Sequence, residues 1–211
     1  MKLFTTNTLR RGLMALALTC VCQGVFAASV MQQNLVDLIE ESDTIVVGTV
    51  SKVTDGFTDK GVPFTEVTLK VSDNILGAKG DTYTFRQFGL TQSREVNGLT
   101  YLGTTPDGWP NWIESERVVV FLNAPARLTG LQTTVGLNQG KLRWADGRLA
   151  NSENNVGLFK NMSVNANDLS KDQQAMLKGE GKAVAAQPFV SLVRRAVDES
   201  WIAKGVMRHA N

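Results

Sequence analysis

Past residue 27 the sequence contains no cysteine, since Cys20 and Cys22 both lie in its first 27 residues. That absence excludes a disulfide framework, a thiolate nucleophile and sulfur-ligated zinc from the rest of the chain. Histidine is nearly as scarce: the only one, His209, sits in a terminal stretch expected to be a mobile tail. No internal imidazole is therefore on hand as a general base or metal ligand. A G-x-S-x-G nucleophile elbow is missing too. No apolar run reaches the roughly 20 residues that span a bilayer as a helix, and there is no internal repeat or long block of like charge.

The first 27 residues have the layout of a secretory signal. Lys2, Arg10 and Arg11 precede the apolar run GLMALALTCVC, and Val25-Phe26-Ala27 forms a small-residue exit, which predicts cleavage after Ala27. Leu9 before the arginine pair and Thr19 before Cys20 favour a general secretory signal over twin-arginine export or a lipid anchor. The segment takes three of the 22 basic residues and none of the 20 acidic ones, which leaves 19 against 20, a net charge of −1. The basic balance of the full chain thus belongs to the signal, and a basic surface for nucleic acid is not expected. The expected location is periplasmic or extracellular.

The remainder opens with VMQQNLVDLIEE, residues 30–41, where Met31, Leu35, Leu38 and Ile39 recur at helical spacing. Strand patterns follow. SDTIVVGTVSKV gives the first, and in PFTEVTLKVSDNIL the residues Val67, Leu69 and Val71 alternate with polar ones, as in a half-buried antiparallel strand. The turn-rich DGFTDKGVP between them predicts a hairpin. TYTFRQF puts Tyr83 and Phe85 on one face, ERVVVFL suits a strand buried on both faces or, by periodicity alone, a short helix, and LQTTVGL and GKLRW complete about six strands. Residues 89–115, with several glycines and two prolines, read as one long irregular connection.

Gly48 interrupts the first strand, and Val50 and Val53 beyond it fall out of step. A glycine at such a slip suits a bulge or sharp bend that lets a strand curl around a barrel, the alternative being close approach to a bulky neighbour. Three meandering strands, a long connection and closing strands predict a mainly β fold: a small antiparallel OB-like β-barrel with a short N-terminal helix. A C-terminal helical extension follows. PFVSLVRRAVDESWIAKG carries Phe189, Val193, Val197 and Trp201 in one apolar stripe, expected to dock on its own domain, and a shorter helix is expected to start at Asn167 or Asp168. The predicted divisions are residues 1–27 (signal peptide), 28–150 (barrel) and 151–211 (helical extension).

LVDLIEESDTIVVGTVSKV, PFTEVTLKVSDNILGAKGDTYTFRQFG, ESERVVVFLN and GLNQGKLRW together resemble a widespread family of uncharacterised secreted bacterial proteins. The likeness covers roughly residues 35–144 and departs from the family pattern at FGLTQS, residues 88–93, where a glycine pair is more typical. It implies a small OB-like β-barrel and brings no catalytic residues with it.

The chemistry on offer is sparse. DGFTDKG and NSENN bring oxygens together without the spacing of a calcium loop, and turn residues of this kind usually bond their own backbone. No metal and no cofactor are predicted. Glu114 with Glu116, or Glu40 with Glu41, are conceivable acid–base pairs, although solvated surface carboxylates explain them better. The most unusual composition is TYLGTTPDGWPNW, where Tyr101, Trp109 and Trp112 are candidate ligand-binding residues; the competing reading makes the tryptophans a cap on an open barrel end. The expectation is a non-enzymatic exported module binding a protein or polysaccharide in the cell envelope. The alternatives are a protease-inhibitor-like barrel, similar in shape to netrin and tissue-inhibitor domains, and a carboxylate-dependent hydrolase.

Overall fold

A computed structural model describes residues 31–103 and 105–210. The expected signal segment lies outside the described residues. Eleven strands are described. A long hairpin comes first, β1 (Thr44–Phe57) and β2 (Pro63–Leu76), followed by β3 (Thr82–Phe88) and the small hairpin β4 (Arg94–Val96) and β5 (Leu99–Tyr101). The chain continues through β6 (Arg117–Leu122), β7 (Lys141–Ala145), β8 (Arg148–Ala150), β9 (Met162–Val164), β10 (Val184–Ala185) and β11 (Met207–His209). The α-helices are α1 (Leu35–Glu40), α2 (Lys171–Leu177) and α3 (Ala186–Asp198).

Seven strands form one antiparallel sheet in the order β10-β8-β7-β6-β1-β2-β3. The protein is mainly β, as its alternating patterns indicate, but the sheet is open and does not close into a barrel. The reason lies partly in what occupies its margins. The outer side of β3 is engaged by a loop, with Gln132 N donating to Arg86 O at 2.7 Å and Gln87 Nε2 to Pro110 O at 3.0 Å. At the other margin β10 runs directly into α3.

Gly48 is not the corner of a barrel either. Its pairing with β6 is unbroken, Gly48 opposite Val118 within a continuous register from Thr44 to Thr49. Register shifts do occur between β1 and β2, one of them directly between Val47 and Gly48, but the residues they skip are Ile75 and Ser72 in β2 and Ser51 in β1. The slip that puts Val50 and Val53 out of step is thus a bulge at Ser51, three residues further on. At Gly48 the constraint is distance, because a Cβ there would lie 2.8 Å from the carbonyl oxygen of Lys70.

The sheet has apolar layers on both faces. Ile45 and Val47 of β1, Val119 and Phe121 of β6, Leu142 of β7 and Leu149 of β8 pack with α1 and α3. The apolar stripe of α3 docks here as expected: Phe189 and Val193 are fully buried, and Trp201, just beyond the helix, is 2% exposed. Val46, Val50, Val67, Leu69, Phe85, Val118, Val120 and Leu122 form the second layer. Residues beyond 150 contribute β10 to the sheet and Val184, Phe189 and Met207 to the first layer.

Several local expectations change. LQTTVGL is not a strand: apart from a bridge between Leu122 and Thr134, it turns at Gly136 and Leu137 (φ 57° and 56°) into a short 3-10 helix. The irregular stretch contains the β4–β5 hairpin, whose Asn97-Gly98 turn has φ of 53° and 77°, the conformation that two-residue hairpins demand. Asp146-Gly147 turns β7 into β8 in the same way. Ser170 caps α2, with Gln173 completing a capping box, and Asn167 and Asp168 belong to a preceding 3-10 turn. The terminal stretch is paired rather than a mobile tail: β11 lies against β9, and Ala210 N donates to Asn161 O at 2.8 Å. His209 therefore sits beside α1, its Nε2 3.5 Å from Asp37 Oδ1.

Replacing Gly48 with alanine is expected to destabilise the protein by about 1–3 kcal/mol, the usual range for overpacking against a site that cannot yield. Urea unfolding checks this; an unchanged midpoint would mean that β2 can move away from residue 48.

Candidate functional site

On the helix-free side of the sheet, coverage is uneven. The β1–β2–β3 part is closed over by Trp112 and neighbouring loops, whereas the β7–β8 part is left open. A cleft of about 550 Å³ lies there, within the ~300–1,000 Å³ typical of ligand sites. Lys141, Arg143 and Ala145 of β7 and Arg148 and Ala150 of β8 line it, since alternate residues of a strand share a face. Trp109, Pro110, Asn111 and Ile113 form its wall, and Asn138 and Asn151 also border it.

The wall is held to the sheet through Lys141. Its Nζ donates to Asn111 O at 2.5 Å and to Glu116 Oε2 at 2.6 Å, and lies 4.8 Å from the centre of the Trp112 ring. The Lys141 and Glu116 side chains are only 11% and 9% exposed. Burial pushes the Lys141 ammonium below the ordinary lysine range, and the charge of Arg143 adds to that effect, while Glu116 pulls in the opposite direction. Arg143, 67% exposed, stands 3.9 Å from the same carboxylate, too far for a hydrogen bond. Arg148 donates to Ala183 O. The cleft thus carries three cations against one carboxylate.

The three aromatic candidates are in different surroundings. Trp109 lines the cleft and meets Phe88 edge-on, with centroids 6.5 Å apart. Trp112 packs edge-on against Phe85 at 5.2 Å, and its Nε1 donates to Gln87 Oε1 at 2.8 Å. It covers the second apolar layer, the capping role weighed against ligand contact, although what it covers is an open sheet. Tyr101, in the β4–β5 hairpin, stacks edge-on against Phe57 at 4.7 Å, at the far end of β1.

The Glu114 and Glu116 pair is engaged elsewhere. Glu114 Oε1 accepts from Val53 N at 2.9 Å, beyond the Ser51 bulge, while Glu116 is bound to Lys141. In NSENN, Asn151 and Asn155 exchange backbone-to-side-chain hydrogen bonds of 2.9 and 2.7 Å. Those amides bond backbone, as turn residues usually do. Among the described residues no group of three or more His, Cys, Asp or Glu could hold a metal ion, and no helix is long and apolar enough to cross a membrane.

Sequence reasoning missed two charged centres. Lys141 is one; its only signal was a lysine opening a strand beside a glycine. Asp55 is the other, with its side chain 1% exposed. It accepts from Thr91 N at 2.8 Å, Thr91 Oγ1 at 2.5 Å and Gln92 N at 3.3 Å, and pairs with Arg94. Burial alone would raise its carboxyl, but the Thr91 hydrogen bonds, Arg94 and Gln92 outweigh it and hold the group below the usual aspartate range. This network fastens the β4–β5 segment to β1.

No protein-family model and no curated protein matches the chain.

Two outcomes are expected. Lys141→Met should cost about 3 kcal/mol, because it strands a buried Glu116, and the further change Glu116→Leu should recover much of that loss; chemical unfolding of the single and double variants measures both. Asp55 stays charged in the folded chain at pH values where the unfolded chain has already taken up a proton. Its stabilisation is therefore complete above the ordinary value of 3.8 and is lost as pH falls through the lower native value. Protection of the amides in residues 91–101, taken relative to unfolded-chain exchange at the same pH, should fall across that acid window in the wild type, and Asp55→Asn should show low protection already at neutral pH.

Proposed function

We propose that the protein is an exported, non-enzymatic binding module that holds a segment of a polymer or protein of the cell envelope in the cleft between residues 109–113 and the open face of β7–β8. One observation supports this above the rest: the sheet leaves part of one face uncovered, and cationic and aromatic side chains converge there under a wall tied down by Lys141. The floor is a sheet face and the wall is tied to it by Lys141, so a ligand would meet a surface already in place, with little ordering cost. The signal-like sequence of residues 1–27 supports export.

The hydrolase reading draws no support from Glu114 and Glu116, whose oxygens are engaged in hydrogen bonds that hold the fold together. The inhibitor reading depended on the outline of a closed barrel, which an open sheet does not supply.

Trp109→Ala combined with Ile113→Ser removes the apolar part of the wall; Ile113 is 65% exposed, so the fold has little need of it. Protein and polysaccharide fractions of an envelope extract, passed over immobilised wild-type protein and this double variant, should bind the wild type and be retained at least about tenfold less by the variant, the scale of losing a central aromatic contact. Equal retention by a variant with unchanged near-UV circular dichroism would remove the cleft as the binding site.

A further inference from the structure

We propose that the occupant of this cleft is an acidic carbohydrate, a glycan chain carrying carboxylates on its sugar rings. The inference rests on the binding-module reading above and adds the ligand's chemistry.

The argument starts from groups with nothing else to do. The Arg143 guanidinium makes no hydrogen bond, its nearest carboxylate being 3.9 Å away, and it is 67% exposed at the cleft. Guanidinium is planar and binds carboxylates through two parallel N–H donors. The side-chain amides of Asn111 and Asn138 line the same cleft and have no hydrogen-bond partner among the described residues. Each amide offers both donors and an acceptor, the combination that hydroxyl groups require. Trp109 adds a broad apolar surface suited to the C–H face of a sugar ring.

The shape of the floor separates a glycan from an acidic peptide. Extended peptides are commonly held by a free strand edge, or by apolar side chains seated in deep sockets. Here the floor is a sheet face of Lys141, Arg143, Ala145, Arg148 and Ala150, with no large apolar side chain to shape a socket. Charge separates an acidic glycan from a neutral one. Lys141 is already neutralised by Glu116, whereas Arg148 donates only to the Ala183 carbonyl and Arg143 makes no hydrogen bond, so both guanidinium charges are left for an anionic ligand, with Arg143 the one whose donors are free.

Calorimetric titration of the full exported chain tests the proposal. The probes are oligomers of galacturonate, glucuronate and mannuronate, their methyl esters, and oligoglutamate of matched charge. At least one uronate oligomer should bind, and its ester and oligoglutamate should bind at least about tenfold more weakly, as expected when a charge-assisted pair is lost. Arg143→Gln should weaken the acid by about tenfold and leave the ester unchanged, while Trp109→Ala should weaken both. Equal binding of acid and ester, equal binding of oligoglutamate, or an Arg143→Gln variant that binds the acid normally would overturn the proposal. So would failure of every uronate with protein that still retains an envelope fraction, an outcome that leaves the binding-module reading standing. Loss of retention as well would overturn both.

Discussion

Two apolar layers share one strand, and the rest of the structure depends on it. Residues 118–122 of β6 are buried without exception, with Val119 and Phe121 facing the helices and Val118, Val120 and Leu122 facing away. Burying an aliphatic or aromatic side chain of this size stabilises by roughly 1.5–3 kcal/mol each. No other strand serves both layers so completely, and β6 is also where the long hairpin (β1, β2) meets the C-terminal strands (β7, β8). A charge introduced on either face would lie in a dry layer, which explains the absence of any polar side chain over these five positions.

Much of this was legible in the sequence because it follows from periodicity. The unbroken run VVVFL announced burial on both faces, and the four-residue stripe of α3 announced a docked helix. The alternation in β2 announced its buried face as far as Val71. What periodicity could not reveal is how strands far apart in sequence close, or fail to close, around a core. Gly48 looked like a corner because two valines beyond it were out of step, yet the inserted residue is Ser51, which carries no compositional mark. Bulges at Ser72 and Ile75 are equally silent. The Asn97-Gly98 turn, by contrast, was a plain hairpin signal lying within a stretch that looked irregular as a whole.

The candidate site was less legible than the fold. Aromatic composition drew attention to the right segment, and Trp109 does line the cleft, but composition could not separate it from Trp112, whose indole nitrogen is engaged by Gln87. Lys141 and Asp55 escaped notice because a buried charge is defined by its partners, and these lie 25 to 39 residues away. Both tie a loop to the sheet. The cleft therefore owes its shape to an ion pair under its wall as much as to the aromatic residue in it.

The meeting of β11 with α1 has a bearing on how the molecule is made. Asn34, which caps α1, places its amide nitrogen 3.4 Å from Nδ1 of His209, across a sequence separation of 175 residues, and donates to the carbonyl of Lys160 as well. Such distant pairing is slow to form because most of the chain must be gathered first. When synthesis delivers the amino end ahead of the carboxyl end, the earliest of the described helices waits for the latest strand. Until that strand arrives, the polar edge of α1 that carries Asn34 and Asp37 stands without its partner His209.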